Sequence, residues 1–286
     1  MVGLNGLALC AGVGGLERGI ESIFNRYKTV CYVEGEAYAA SCLISQMEKG
    51  WVDEAPIWSN VRTFDGNPWR GKVDIVSGGF PCQPFSQAGK QKGTEDKRHL
   101  WPEISRIIGE IRPSIVILEN VPNVTDIAGS IIFADLAKMG YNSSWGIVRA
   151  SDANAPHRRA RFFSISIDPN TYNDGLPISI FKEDCHDRIF AEGGLERSFI
   201  ERLCSNVSNS NSKSKSNSTI DVEESRIFQK SSWIIENWIP EPGMGRMADG
   251  VANWMDRLRA CGNGVVPQQA KLALEILICK YNEVYR

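Results

Sequence analysis

Strands that alternate with helices across turns rich in glycine constrain this chain more than any other feature. Leu4–Leu9 reads as an apolar strand, Gly12-Val13-Gly14-Gly15 follows it, and a helical pattern runs over 16–24. The alternation continues with a strand at 28–33, a helix at 38–49, a third strand ending near Ser59-Asn60 and a fourth at 73–77. A helix at 101–111 stops before Pro113, and a fifth strand at 114–118 follows. Such an order predicts an α/β fold with a largely parallel sheet, because parallel neighbours need crossover connections and helices supply them. After a helix at 131–139, segments 141–148 and 161–167 read as two further strands, antiparallel to each other. At 286 residues, the chain is long enough for one large domain with a small insert.

The ends of these strands carry the residues with chemistry. Gly78-Gly79-Phe80-Pro81-Cys82-Gln83-Pro84-Phe85-Ser86 follows the fourth strand. Two prolines make it a stiff loop that cannot extend the strand, since proline fixes φ and lacks a donor. A cysteine at the carboxyl end of a strand in an open α/β sheet stands where ligands bind. Read locally it is either a nucleophile or a small buried residue at a turn. Gly12-x-Gly14-Gly15 between strand and helix is a nucleotide-cofactor loop or a tight structural turn. Glu34, at the end of the second strand, is placed to accept from ribose hydroxyls. Glu17 stands where a dinucleotide fingerprint has its third glycine, which disfavours a pyrophosphate ligand and with it a nicotinamide-dependent oxidoreductase.

Taken in order, Leu9-Cys10-Ala11-Gly12-Val13-Gly14-Gly15-Leu16, the Pro-Cys loop, Leu118-Glu119-Asn120-Val121-Pro122, Pro156-His157-Arg158-Arg159-Ala160-Arg161 and Cys261-Gly262-Asn263-Gly264-Val265-Val266-Pro267 closely resemble the cytosine-C5 DNA methyltransferases, in particular their small bacterial and phage members. The resemblance covers 1–168 and about 244–286. It implies a Rossmann-like, mostly parallel sheet of the methyltransferase type. The expected organisation is a catalytic domain at 1–168, a target-recognition insert at 169–243, and a tail at 244–286 that completes the catalytic domain. Residues 205–219 contain seven Ser and four Asn, too polar to join a core, and are expected to be disordered.

What the resemblance implies for individual residues is specific. Cys82 matches the nucleophile that attacks C6 of cytosine, which makes C5 reactive enough to take a methyl group. Glu119 matches the carboxyl that bonds cytosine N3 and the exocyclic amine, a role suited to a buried acid with a raised pKa. Arg161 matches the residue on cytosine O2, and Arg159 the one near the nucleophile; on a strand the two would face the same side. S-adenosylmethionine is the implied cofactor. Its expected site is Cys10, Ala11, Gly12, Val13, Gly15, Glu34, Gly35, Asn60, Val61, Gly79, Pro81, Leu100, Asn263, Gly264 and Val265. Asn60 departs from the family's usual Asp, and Gly35 from its usual bulkier residue. Ala160 stands between the arginines where the family has a carboxylate.

Gln83, Ser86, Lys90, Lys92 and Arg98 are expected to face DNA, the last three on a polar loop, 87–100, that closes once the target base has left the stack. Double-stranded DNA is therefore the implied partner. The net charge of −2 gives no global basic footprint, so the attraction must be local. RNA is the alternative substrate, because one branch of the family modifies transfer RNA. A catalytically silent DNA-binding relative is a further alternative, against which Cys82, Glu119 and Arg161 argue. The resemblance leaves room for a cognate restriction endonuclease and implies a monomer. Eight cysteines without a C-x-x-C pair fit a reducing cytoplasm and give no metal site. No apolar run approaches the ~20 residues of a membrane span.

Overall fold

A computed structural model describes residues 3–81, 100–173, 208–209 and 254–285. Parallel strands β1 (Leu4–Leu9), β2 (Tyr27–Val33), β3 (Ile57–Trp58), β4 (Ile75–Gly79) and β5 (Ile115–Asn120) alternate with helices α1 (Gly15–Glu21), α2 (Ala37–Glu48) and α3 (Trp101–Ile111). Two short helices, α4 (Val124–Ile127) and α5 (Gly129–Lys138), lead to β6 (Asn142–Arg149) and β7 (Ala160–Ile167), which pair antiparallel as expected. The chain order in the sheet is β3-β2-β1-β4-β5-β7-β6-β8, where β8 is Ser208–Asn209. Helices α6 (Trp254–Asn263) and α7 (Pro267–Tyr285) close the described chain.

Strand β5 shows why the sheet is covered on both sides. All six of its residues are buried. Ile115 and Ile117 join a core with Leu16 and Ile20 of α1 and Leu274 and Ile278 of α7. Val116 and Leu118 join another with Ile104 and Ile108 of α3 and Ile132 of α5. Alternate residues of a strand face opposite sides, so a strand covered on both must be apolar throughout. In α3, Trp101, Ile104, Ile107, Ile108 and Ile111 are buried, the spacing of a helix with one apolar stripe. Helix α7 opens on Pro267, which suits a first helical position, and packs against α1. A Cβ on Gly19 of α1 would collide with the side chain of Ala270. The tail thus lies on the same sheet face as the first helix.

Three expectations need correction. The fourth strand runs to Gly79 and not to Ser77, because Gly78 is paired on both sides, with Leu9 and with Leu118. Arg159 precedes β7 and has φ 32°, so it does not share a strand face with Arg161. Ser208–Asn209, inside the polar stretch 205–219, pairs with Trp145 and Ser144 of β6. At these two residues the chain is a strand; the remainder of that stretch, and nearly all of the expected insert, lies outside the described residues. Among the described residues no helix is long and apolar enough to cross a membrane.

Candidate active site

The expected site residues gather at the carboxyl ends of the parallel strands. Cys10 follows β1 with φ 52°, and Gly12 and Gly14 take φ 57° and 78°, conformations that glycine adopts at little cost. This turn is tied down from three directions. Ala11 N–H donates to the Val33 carbonyl at 3.3 Å. Gln46 of α2 donates to the Val13 carbonyl at 2.9 Å. Glu34 accepts from Gly12 N–H at 2.7 Å through one carboxylate oxygen and from Glu36 N–H at 2.7 Å through the other. Each oxygen keeps a lone pair for a ligand hydroxyl. Among the described residues, nothing lies within 4 Å of where a Cβ of Gly12 would point. Burial, and then the charge of Glu34, push the Cys10 thiol up to about 12, so it is no nucleophile.

Beside this turn, Gly35 sits against the Ser59 carbonyl, which a Cβ would approach to 3.2 Å. A side chain there would need the Ser59 carbonyl to give by a few tenths of an ångström. Asn60 starts a short 3-10 turn, its Oδ1 accepting from Arg62 N–H at 3.0 Å, while Val61 is buried beneath. The tail comes back over the glycine turn. The Val265 carbonyl lies so close to Gly15 that any Cβ would collide with it, and a Cβ on Gly264 would touch Val13 at 3.4 Å. Asn263 ends α6 between these contacts.

A second cluster forms where β4 and β5 end and the antiparallel β7 begins. Glu119 is paired in register with Gly79, and a Cβ on Gly79 would meet its Oε2 at 3.2 Å. Glycine here makes room for the carboxyl group. Arg161 Nε stands 3.2 Å from Glu119 Oε1, and its Nη1 donates to the Ala160 carbonyl at 2.9 Å. Burial raises the Glu119 pKa to about 7, against the opposing pull of Arg161 and Arg159. A carboxyl so poised can donate as an acid or accept as a base near neutrality. Pro81, exposed, ends the described part of β4's extension, and Leu100, half-buried, caps α3 where the chain resumes. Cys82, Gln83, Ser86, Lys90, Lys92 and Arg98 lie between them, outside the described residues.

Three buried polar residues at the site escaped the sequence reading. Asn120 donates from Nδ2 to the Phe80 carbonyl at 2.9 Å and fixes the strand end that leads to Cys82. Glu17, on α1, accepts from Ser77 Oγ of β4 at 2.8 Å. Gln269, on α7, donates to the Arg159 and Val148 carbonyls, each at 2.8 Å. Only Asn120 carries a sequence signal, a polar residue at the end of an apolar strand; Glu17 and Gln269 stand among other polar residues and glycine. That signal marks burial of Asn120 without naming its partner.

Comparison with known proteins places the chain in context. The family model described as C-5 cytosine-specific DNA methylase matches residues 4–271. Over 165 residues the chain is 34% identical to the Type II methyltransferase M.NgoMIV of Neisseria gonorrhoeae, covering 56% of this chain and 51% of that protein. It is 36% identical over 171 residues to the Type II methyltransferase M.PspPI of Psychrobacter sp. (strain TA137), covering 58% and 40%. The matched part thus spans about half, or less, of these relatives' length. The solved structure of S. pombe Dnmt2 methyltransferase shares the fold, with a TM-score of 0.51 and 19% identity over 68% of this chain and 57% of that one.

Proposed function

Because the chain belongs to the C-5 cytosine-specific DNA methylase family, we propose that it transfers a methyl group from S-adenosylmethionine to C5 of a flipped-out cytosine in double-stranded DNA. The observation that carries this reading is the buried Glu119–Arg161 pair beside Gly79, three residues before Cys82. A carboxyl near its midpoint of ionisation and a guanidinium match the hydrogen-bonding edge of cytosine: the acid toward N3 and the exocyclic amine, the arginine toward O2.

In this reading the Cys82 thiolate forms a bond to C6 while the Glu119 proton moves onto N3, so the electron pair reaches C5. When bound, the sulfonium cofactor would supply an electrophilic methyl group: C5 would take the methyl as the sulfur–methyl bond breaks, its electron pair leaving with the thioether product. Loss of the C5 proton to a base then lets the C6–sulfur bond break, the electron pair returning with the thiolate, while N3 gives its proton back to Glu119. The residues present fit such a cofactor. The Gly12 turn is open on one side, Glu34 keeps acceptor capacity for ribose hydroxyls, and Val265 closes the turn from above. Asn60 and Val61 would border the adenine. Gln83, Ser86, Lys90, Lys92 and Arg98 would hold the DNA backbone and the gap left by the base.

The same reading includes a monomeric enzyme in the cytoplasm, and it leaves room for a cognate restriction endonuclease, as the names of the Type II relatives suggest. It is tested by expression in a methylation-deficient host followed by bisulfite sequencing. Protected cytosines at one recurring sequence are expected. Protection nowhere in the DNA, or methyl groups found only in RNA, would contradict it.

A further inference from the structure

The carboxyl-terminal segment touches both halves of the site. On one side Val265 closes over Gly15 and Gly264 faces Val13. On the other, Arg159 donates from Nη2 to the Gly262 carbonyl at 2.7 Å and to the Gly264 carbonyl. These carbonyls belong to the end of α6 and the turn after it, where helical partners run out. A guanidinium presents several donors in a fixed plane and can span both.

The grip is returned a few residues later. Gln269 is fully buried in the first turn of α7, and both its Nε2 contacts are carbonyls, Val148 and Arg159. Only the amide nitrogen can face them, so its orientation is fixed. Its Oε1 is buried and finds no hydrogen-bond partner among the described residues. Methionine would leave no such oxygen, but it would also leave both carbonyls without these donors. Arg159 also holds φ 32°, a backbone conformation that persists only when surrounding contacts fix it. Its carbonyl is fixed by Gln269 and by Ala150 N–H.

We propose that Arg159 and Gln269 are positioning residues that couple the cofactor pocket to the cytosine pocket through residues 262–265. This rests on the methyltransferase reading for what the two pockets hold. Arg159 holds the tail against the glycine turn by its side chain, and the tail holds Arg159 beside Glu119 by its backbone. Cofactor affinity therefore depends on Arg159 even though Arg159 belongs to the base side. By reciprocity, a bound cofactor strengthens capture of the base.

The test uses the full chain, with calorimetric titration of S-adenosylmethionine and steady-state kinetics. Arg159→Lys keeps the charge and loses the planar fork; it is expected to weaken cofactor binding about tenfold, the loss of one charge-assisted bond. Gln269→Met keeps the volume and removes both donors, and is expected to act in the same direction. Gln269→Glu can donate only when protonated, so its cofactor affinity should recover as pH falls, which a space-filling role would not produce. If Gln269→Met does not fold, Arg159→Lys decides alone. An Arg159→Lys protein with reduced kcat and unchanged cofactor affinity would overturn the coupling while leaving the methyltransferase reading intact. A parent protein that neither binds the cofactor nor methylates DNA would overturn both.

Discussion

Glu119, near the end of β5, and Arg161, near the start of β7, stand 3.2 Å apart with both side chains largely buried. The positive charge favours the carboxylate and burial favours the acid. Burial wins, and the carboxyl is raised to about 7. The acid form is the one that can donate to cytosine N3. Methyl transfer should therefore fall as pH rises through the region of 7, while the thiolate fraction of Cys82 rises in the opposite sense. Glu119→Gln should lower kcat/KM by about 10²- to 10⁴-fold and remove that falling limb. Methylation kinetics across roughly pH 6 to 9 check this. A falling limb retained in Glu119→Gln would assign it to another group.

Glu17 is the second buried acid pushed up to about 7, chiefly by burial, with the Ser77 hydrogen bond opposing. Its folded-state pKa lies above the ordinary 4.5, so the folded protein holds this proton more tightly than the unfolded chain. The stability it contributes is present below that ordinary value and is lost as pH rises through about 7. Glu17→Gln keeps an oxygen for Ser77 and does not ionise. It should stabilise the protein at about pH 8 by on the order of 1–3 kcal/mol and leave it little changed at about pH 4. Glu119 contributes a slope of the same sign, so part of the pH dependence persists in this variant. Urea unfolding at the two pH values measures the difference; equal stability of variant and parent at the higher pH would contradict it.

Asn60 already uses its Oδ1 to cap the turn at Arg62, and a carboxylate there caps equally well. Asn60→Asp should keep the fold and tighten S-adenosylmethionine by up to about 1 kcal/mol, the gain of a charge-assisted bond to the adenine amine after desolvation. Unchanged or weaker binding in calorimetry would remove Asn60 from the adenine.

Much of this arrangement was legible in the sequence because its determinants are local. The glycines after β1, Glu34 after β2 and Glu119 at the end of β5 sit where a strand pattern ends, and the sheet brings those ends together. The strand boundary at β4 was not legible, since glycine is a poor strand former and only pairing on both sides keeps Gly78 in the ladder. Helix α6 was not read from the sequence, where Gly262 in its last turn is a poor helix former. The contacts of Glu17 with Ser77 and of Gln269 with Arg159 span 60 and 110 residues. No local pattern encodes such a pair. Arg159 shows the same limit: an R-x-R spacing suggests one strand face, but tertiary contacts hold its backbone out of the strand.

Covalent trapping on DNA tests the central claim most directly. With S-adenosylmethionine and duplex DNA carrying 5-fluorocytosine at the methylated position, the C5 substituent cannot leave as a proton, so the C6–sulfur bond of Cys82 cannot be released. The expected result is a protein–DNA complex that survives denaturation, requires the cofactor, and is absent from Cys82→Ser. A Cys82→Ser protein that traps DNA as well as the parent would contradict the assignment of the nucleophile. No complex from a parent that binds both cofactor and DNA would contradict the covalent route itself.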